Sequence, residues 1–259
     1  MPQNEIRIIP IAGIPEVSSG ENLARLITEA MLGSDLLAEA GDVFVIAQKV
    51  VSKAEGRVVK LDSVKPSSLA LRWAADYDKD PRIVEVVLSE SRRIVRMDRG
   101  ILISETYHGF ICANAGVDAS NVESGTVTLL PEDPDRSAVQ IEQELEKNLG
   151  FEVAVIVSDT FGRPWREGLV NVALGVAGVA AIIDLRGKTD WKGQPLRVTV
   201  VGVADELASA AELVMGKDSG VPVAIVRGFN YKERGEGEQG TGNRTGRDLI
   251  RAPNLDLFR

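Results

Sequence analysis

The chain has 259 residues, enough to bury a sizeable core in one large domain or two small ones. Apolar residues make up 44% of it and charged residues 26%, an ordinary globular composition that argues against disorder. The formal net charge of −8 disfavours a general nucleic-acid surface, which would need a basic excess, but it is compatible with a small basic pocket for phosphates.

Cysteine content and hydropathy point to the cytoplasm. Cys112 is the only cysteine, so neither an internal disulfide nor a cysteine-based zinc site can form. The first residues lack the basic and apolar regions of a secretory signal, and no uninterrupted apolar run approaches the roughly 20 residues that span a bilayer. We therefore expect a soluble cytoplasmic protein without a membrane or nucleic-acid partner.

The first half of the chain alternates between strand and helix patterns. Short apolar runs predict strands at residues 6–11 and 43–47, and apolar residues at helical spacing predict a helix at residues 22–32. Residues 67–88 have a mainly helical pattern with a break near Asp80-Pro81. Residues 91–103 are typical of a hairpin that turns at Gly100.

The second half begins with a predicted helix at about residues 137–149 that ends at Gly150. Val, Ala and Gly at close spacing predict a buried helix at residues 169–181, packed tightly against a neighbour. The remaining expected elements are a strand with a hairpin connection over residues 182–195, a strand at 196–203, a helix at 205–215 and a strand at 223–226. The polar composition that follows predicts a flexible loop at residues 229–247.

Two lysines follow the predicted strand at residues 43–47. Gln48, Lys49, Ser52 and Lys53 surround an apolar pair of valines. Lysine ammonium groups at the end of a strand can hold phosphate oxygens as point charges. The same residues are also typical of a solvated sheet edge, where lysines discourage aggregation, and from these residues alone the edge is the more ordinary interpretation.

A polar segment at residues 105–121 contains the only histidine, His108, and the only cysteine. Asp118 and Asn121 could point to one ligand if a helical turn begins there, or Asp118 could simply close an Asx turn. A lone histidine is more often structural than catalytic. Cys112 lies within an apolar run, which suits a small buried side chain better than a nucleophile.

Residues 153–166 form the stretch around which the chain is organised. The apolar residues at its start predict a buried strand that stops at about residue 158, because a glycine and a proline follow. Asp159 and Thr160 at the end of a strand, followed by Arg163 and Arg166, suit a divalent cation bound to an anionic ligand. A helix cap explains the acid and the hydroxyl equally well.

Four long motifs occur along the chain: Gln48-Lys-Val-Val-Ser-Lys-Ala-Glu-Gly56, His108-Gly-Phe-Ile-Cys-Ala-Asn-Ala-Gly-Val-Asp118, Ser158-Asp-Thr-Phe-Gly-Arg-Pro-Trp-Arg166 and Ala210-Ala-Glu-Leu-Val-Met-Gly-Lys217. Together they resemble the coenzyme F420-0:γ-glutamyl ligase family, whose members add glutamate to a deazaflavin coenzyme. The motifs occur in the family's order. The similarity runs from the first predicted strand to the last residues, so it covers nearly the whole chain.

The resemblance implies a nucleotide and metal site. Family members hold Mg²⁺ or Mn²⁺ at the positions that match Asp118, Asp159 and Thr160, and they can also require a monovalent cation such as K⁺. They bind GTP at the positions that match Gly13, Ile14, Pro15, Glu16, Gln48, Lys49, Lys53, Asn121, Met215, Gly216, Lys217, Asp218, Ser219, Gly220 and Val221.

The resemblance also implies an α/β fold with mixed sheets, which is neither a Rossmann nor a P-loop fold, and a homodimer with sites near the subunit interface. We expect residues 1–259 to form one ligase domain, which could divide into two subdomains. Some members carry a second, flavin-binding domain. The chain is therefore expected to be a stand-alone ligase or the N-terminal module of the bifunctional form.

The implied reaction joins L-glutamate to the carboxylate of coenzyme F420-0. GTP would first convert that carboxylate to an acyl phosphate, and the glutamate amine would then displace phosphate, with GDP also released. Asp159 would act at the metal, while Arg163 and Arg166 would bind a substrate carboxylate or form a buried ion pair with Asp184 or Asp190. The alternatives are a metal-dependent nucleotide hydrolase or kinase, and a nucleotide-sensing module without turnover.

Overall fold

The computed structural model describes residues 5–230 and 245–256, and within them the fold is α/β with mixed sheets, as expected. The helices are α1 (Leu23–Gly33), α2 (Gln48–Ala54), α3 (Ser68–Tyr77), α4 (Pro81–Ser89), α5 (Pro134–Leu149) and α6 (Val203–Met215). The strands are β1 (Arg7–Ile11), β2 (Val43–Ala47), β3 (Val58–Lys60), β4 (Ser91–Asp98), β5 (Ile101–Thr106), β6 (Ile111–Ala113), β7 (Thr126–Thr128), β8 (Ala154–Arg163), β9 (Arg166–Ala177), β10 (Ile183–Asp184), β11 (Val200–Val201) and β12 (Val223–Arg227). None of the helices in the described ranges has both the length and the apolar content that crossing a bilayer requires.

The central sheet has five strands in the order β1-β12-β2-β8-β9. β2 and β8 are parallel, and the other neighbours are antiparallel. Both faces of β2 and β8 are covered, because Phe44 and Val155 pack towards α1 and α5 while Val45 and Ile156 pack towards α6. Strands buried on both faces are uniformly apolar rather than alternating, which is why their positions could be predicted.

A second group of elements packs beside this sheet. The three-stranded sheet β4-β5-β6 has its own buried cluster with α3 and α4, including Ala70, Val87 and Leu102. The pair β3-β7 packs around Leu61 and Val127. The predicted hairpin at Gly100 and the two helices separated near Asp80-Pro81 are confirmed, whereas the division into two subdomains stays a prediction.

The largest error of the sequence prediction concerns residues 158–181. The strand expected to stop at about residue 158 continues to Arg163 as β8, and residues 166–177 form its antiparallel partner β9 instead of a helix. The helix cap proposed for Asp159 and Thr160 is therefore wrong. The polar residues remain in a strand because β9 supplies their backbone partners, and irregular pairing at two points of the hairpin accommodates them.

The small residues of β9 do pack closely, but as a strand. Gly175 lies against the start of α5, where an added Cβ would overlap with the carbonyl group of Pro134. The valines at positions 170, 172 and 176 favour a strand, and their β-branched side chains outweigh the helical spacing of the alanines.

Three shorter predictions also differ from the structure. Residues 48–54 form helix α2 rather than a solvated sheet edge. The strand expected at residues 196–203 is reduced to β11, which pairs with β10, although the hairpin connection before it is present as a bridge between Thr189 and Pro195. Of the loop predicted at residues 229–247, residues 231–244 lie outside the described ranges, and Gly246–Leu249 form a short 3₁₀ helix.

The close approach of β9 to α5 predicts that Gly175→Ala lowers the free energy of unfolding by about 1–3 kcal/mol, because the added methyl group must displace backbone. Gly33→Ala is the matched control, since no heavy atom lies within 4 Å of a Cβ at this position in α1. Urea unfolding of both variants measures the difference. Equal stabilities of the two variants would show that β9 and α5 are not in this contact.

Candidate functional site

The parallel pair β2 and β8 ends at a cavity of about 410 Å³. Ala47 lies directly opposite Ser158, so the start of α2 and the polar end of β8 reach the cavity side by side. The loop after β1 and the end of α6 close its other sides. A volume of this size is typical of a small-molecule site.

Most of the residues predicted to bind GTP lie around this cavity, although they come from four separate parts of the chain. Those that line it are Ile14, Pro15, Glu16, Gln48, Lys49, Lys53, Asn121, Met215, Gly216, Lys217, Asp218, Gly220 and Val221. Gly13 and Ser219 do not line it, but each is next in sequence to a residue that does. The geometry thus brings the predicted nucleotide residues together, and their roles stay predictions.

The two lysines of α2 reach into the site. Lys49 Nζ lies 2.8 Å from Asp118 Oδ2, and Lys53 Nζ lies 2.5 Å from Glu16 Oε1 and 2.7 Å from the carbonyl oxygen of Asn121. The Lys53 side chain is only 11% exposed. Because both ammonium groups are half-buried and held by carboxylates, they are not the solvated lysines of a sheet edge. Lysine ammonium groups in such a setting can bind phosphate oxygens.

Asp118 is held by two groups. Its Oδ1 accepts a hydrogen bond of 2.6 Å from the backbone N–H of Ser120, which is an Asx turn, and its Oδ2 pairs with Lys49. Of the two arrangements considered for Asp118, the Asx turn is present and the helical turn is not, since Asp118 pairs as an isolated bridge with Thr128. Burial raises the pKa of Asp118, but the hydrogen bonds from Lys49 and Ser120 outweigh it and leave the pKa below its ordinary value.

Asp159 has the opposite electrostatic setting. Burial raises its pKa from the ordinary 3.8 to about 6, although its hydrogen bond with the backbone of Thr160 and the charge of Lys217 act against that rise. The charge of Asp118 raises the pKa of Asp159 further. Asp118 and Asp159 therefore interact electrostatically, and the charge of Lys49 lowers the pKa of both.

Two residues that the sequence reasoning did not select join this cluster. Thr160 Oγ1 lies 2.6 Å from Asn171 Oδ1, and Asn171 Nδ2 lies 3.0 Å from Glu212 Oε2. Lys217 contacts both Thr160 and Glu212. Glu212 was visible within the motif at residues 210–217. Asn171 is a polar residue in an otherwise apolar run. Because that run was predicted to be a helix, the pairing of Asn171 with Thr160 could not be predicted.

Two buried donors line the cavity. The Nε2 of Gln48 and the hydroxyl of Ser158 have no hydrogen-bond partner among the described residues. Gln48 Oε1 accepts a hydrogen bond of 2.9 Å from the hydroxyl of Ser52. Buried donors in proteins are normally paired, so these two donors are available to a ligand that enters the cavity.

The oxygen atoms at the site suit Mg²⁺ or Mn²⁺. Within residues 5–230 and 245–256, no three His, Cys, Asp or Glu side chains come together as a metal cluster. Mg²⁺, however, usually takes one or two carboxylates together with substrate phosphates and water. Asp118, Asp159 and Thr160 provide such an incomplete oxygen set, and the buried carboxyl group of Asp159 would be stabilised in its charged form by a cation.

The predicted arginines lie elsewhere. Arg163 and Arg166 flank the tip of the β8–β9 hairpin, and neither lines the cavity. The ion pair considered for them is not formed, because Asp184 pairs with Arg186 and Asp190 accepts backbone N–H groups.

The two other chemically distinctive residues are structural, as expected. The Nε2 of His108 lies 2.9 Å from the carbonyl oxygen of Pro131, and its ring stacks on Phe110. Burial raises the pKa of the Cys112 thiol to about 12, so the thiol stays neutral and unreactive.

A cavity that combines lysines, carboxylates and buried donors suits an enzyme that acts on anionic substrates. The family model described as F420-0:Gamma-glutamyl ligase matches residues 12–228. The chain is 48% identical to the coenzyme F420:L-glutamate ligase of Methanothermobacter thermautotrophicus, over 98% of this chain and 99% of the relative. It is 47% identical to that of Methanopyrus kandleri and 44% identical to that of Methanocaldococcus jannaschii, over 98% of both chains in each case. The chain therefore belongs to the F420-0:gamma-glutamyl ligase family and is an enzyme of the ligase class.

The raised pKa of Asp159 predicts that Asp159→Asn stabilises the metal-free protein at neutral pH. Between the ordinary value of 3.8 and the folded value of about 6, the folded state binds more protons than the unfolded state. The contribution of Asp159 to stability is therefore fully present below about pH 4 and is lost as the pH rises through 6. The advantage of the variant should grow over this interval and then stay constant.

Urea unfolding from pH 4 to 8 in the presence of EDTA measures this difference. Asp76→Asn, at an exposed position of α3, is the control for the loss of an aspartate elsewhere in the chain. An advantage of Asp159→Asn that is the same at pH 4 and pH 8 would contradict the account of burial.

Proposed function

We propose that the chain forms the amide bond between L-glutamate and the carboxylate of coenzyme F420-0, with GTP as the phosphoryl donor and GDP and phosphate as products. The names of its close relatives support the glutamate and coenzyme substrates. The observation that carries the nucleotide assignment is the convergence of four predicted GTP-binding segments on one cavity that contains Lys49, Lys53 and two buried donors.

Amide formation needs an activated acid, because a carboxylate has no usable leaving group. In the proposed first step, a carboxylate oxygen of the coenzyme bonds to the γ-phosphorus of GTP, and the bond from that phosphorus to the bridging oxygen breaks with departure of GDP. In the second step, the glutamate amine attacks the acyl carbon, loses a proton and expels phosphate. Phosphoryl transfer of this kind depends mainly on positioning and on stabilisation of charge.

The residues of the cavity supply that stabilisation. Lys49 and Lys53 would exchange their present carboxylate partners for phosphate oxygens. Gln48 and Ser158 would donate to acceptor oxygens of the bound substrates, which would satisfy both buried donors. Mg²⁺ or Mn²⁺, held by Asp118, Asp159 and Thr160, would neutralise charge between the phosphates.

The proposal also includes a monovalent cation such as K⁺ and a homodimer, as in the family that the sequence resembles. Arg163 and Arg166 are assigned to a substrate carboxylate outside the cavity, since they do not line it. The planar guanidinium group can form two parallel hydrogen bonds with a carboxylate, which is the reason for this assignment.

The test is incubation of the protein with GTP, Mn²⁺, L-glutamate and coenzyme F420-0, followed by mass spectrometry and measurement of GDP. We expect a coenzyme product heavier by one glutamyl group, with GDP release that requires both other substrates. GDP released without the coenzyme and glutamate would instead identify a hydrolase. Nucleotide binding without any turnover would identify a sensing module.

Asp159→Ala is expected to lower metal-dependent GTP turnover by at least about 100-fold, because the site loses a buried carboxylate that the proposed cation requires. The fold should be retained, as judged by circular dichroism and by an unchanged cooperative unfolding transition. Asp76→Ala provides the control for a neutral loss of an aspartate. Ligation by Asp159→Ala at the wild-type rate would refute the role of Asp159.

A further inference from the structure

A chain of hydrogen bonds runs along the cavity wall from Glu212 through Asn171 to Thr160 and ends at Lys217. Asn171 is 3% exposed and lies opposite Thr160 in the β8–β9 pairing. Its backbone oxygen accepts a hydrogen bond of 2.7 Å from the hydroxyl of Ser209 on α6. The Asn171 side chain itself bonds to Thr160 on β8 and Glu212 on α6, so it is held between a strand and a helix with little freedom to move.

The two ends of this chain determine the direction of every hydrogen bond in it. The carboxylate of Glu212 can only accept, so Asn171 must present its Nδ2 to Glu212 and its Oδ1 to Thr160. The ammonium of Lys217 can only donate, so Thr160 Oγ1 must accept from it. The single hydroxyl proton of Thr160 is thus directed to Asn171, so the lone pairs of the oxygen point elsewhere.

We infer that Asn171 and Glu212 are positioning residues that keep a lone pair of Thr160 Oγ1 available to a divalent cation. This inference rests on the proposed function, which places Mg²⁺ or Mn²⁺ at Asp118, Asp159 and Thr160. The position of Lys217 supports it, since a cationic group of the protein already contacts the same oxygen. Groups that orient metal ligands through hydrogen bonds commonly contribute about 10- to 100-fold to metal affinity.

Two substitutions release the Thr160 hydroxyl in different ways. Glu212→Gln replaces a carboxylate, which can only accept, with an amide that can also donate. The Asn171 side chain can then rotate by 180° and donate to Thr160 Oγ1. The hydroxyl proton of Thr160 would no longer be directed to Asn171. Asn171→Ala removes the acceptor without any change of charge. Glu206→Gln, at an exposed position of the same helix, is the matched control for loss of a glutamate charge.

The measurement is the Kd of Mn²⁺ for the nucleotide-free protein, obtained from the electron paramagnetic resonance signal of free Mn²⁺. Thermal unfolding of each variant confirms that it is folded. We expect Glu212→Gln and Asn171→Ala to raise the Kd about 10- to 100-fold, and Glu206→Gln to leave it unchanged. If one of the two variants fails to fold, the other still tests the inference.

A double-mutant cycle with Thr160→Val separates orientation of the hydroxyl from a direct effect of charge. If Glu212 and Asn171 act through Thr160, their substitutions will change the Kd less than about twofold in the Thr160→Val background. Full effects that persist in that background would overturn the inference and leave the metal assignment standing. Wild-type affinity in Thr160→Val alone would overturn both the metal assignment and the inference.

Discussion

The parallel pairing of β2 with β8 is the constraint on which the site depends. Residues 43–47 lie in register with residues 154–158, so the parallel pairing ends at Ala47 and Ser158. The chain leaves β2 as α2, which carries Gln48 and the two lysines, while β8 continues into its polar segment. A shift of this register by one residue would exchange the two buried faces of β8, so that each face would meet helices to which it is not fitted. Core packing therefore fixes the register and, with it, the geometry of the cavity.

The electrostatics of the site differ from those of the chain as a whole. The net charge is −8, yet Lys49, Lys53 and Lys217 gather at one cavity, each beside a carboxylate. These pairs keep the ammonium groups in place before an anionic substrate arrives. In the proposed function, a phosphate that replaces Asp118 as the partner of Lys49 would leave the Asp118 carboxylate free for the divalent cation.

The sequence predicted the regular elements best where burial on both faces produced uniform apolar runs, as in β2 and the start of β8. The prediction is wrong at residues 169–181, where closely spaced small residues favour close helix packing but the chain forms β9. The close packing exists at Gly175, but it is between a strand and the start of α5. That distinction depends on the partner β8, whose continuation past Ser158 is set by tertiary pairing and not by local preference.

Because the β8–β9 hairpin was not predicted, the part of the site that depends on it was not predicted either. Long motifs identified the lysines of α2, Asp118, Asp159 and the segment after α6, and these residues do meet at or beside one cavity. Asn171 was missed because its role follows only from its place opposite Thr160 across the hairpin. Ser158 likewise became notable only when its buried hydroxyl proved to have no partner among the described residues.

The central claim is that Asp118 and Asp159, although distant in sequence, share a cation. Crystals grown with Mn²⁺ and GDP, and measured at the manganese absorption edge, test it most directly. The account predicts an anomalous peak within about 2 Å of carboxylate oxygens of both residues. Manganese bound only where one of the two carboxylates is out of reach would contradict it.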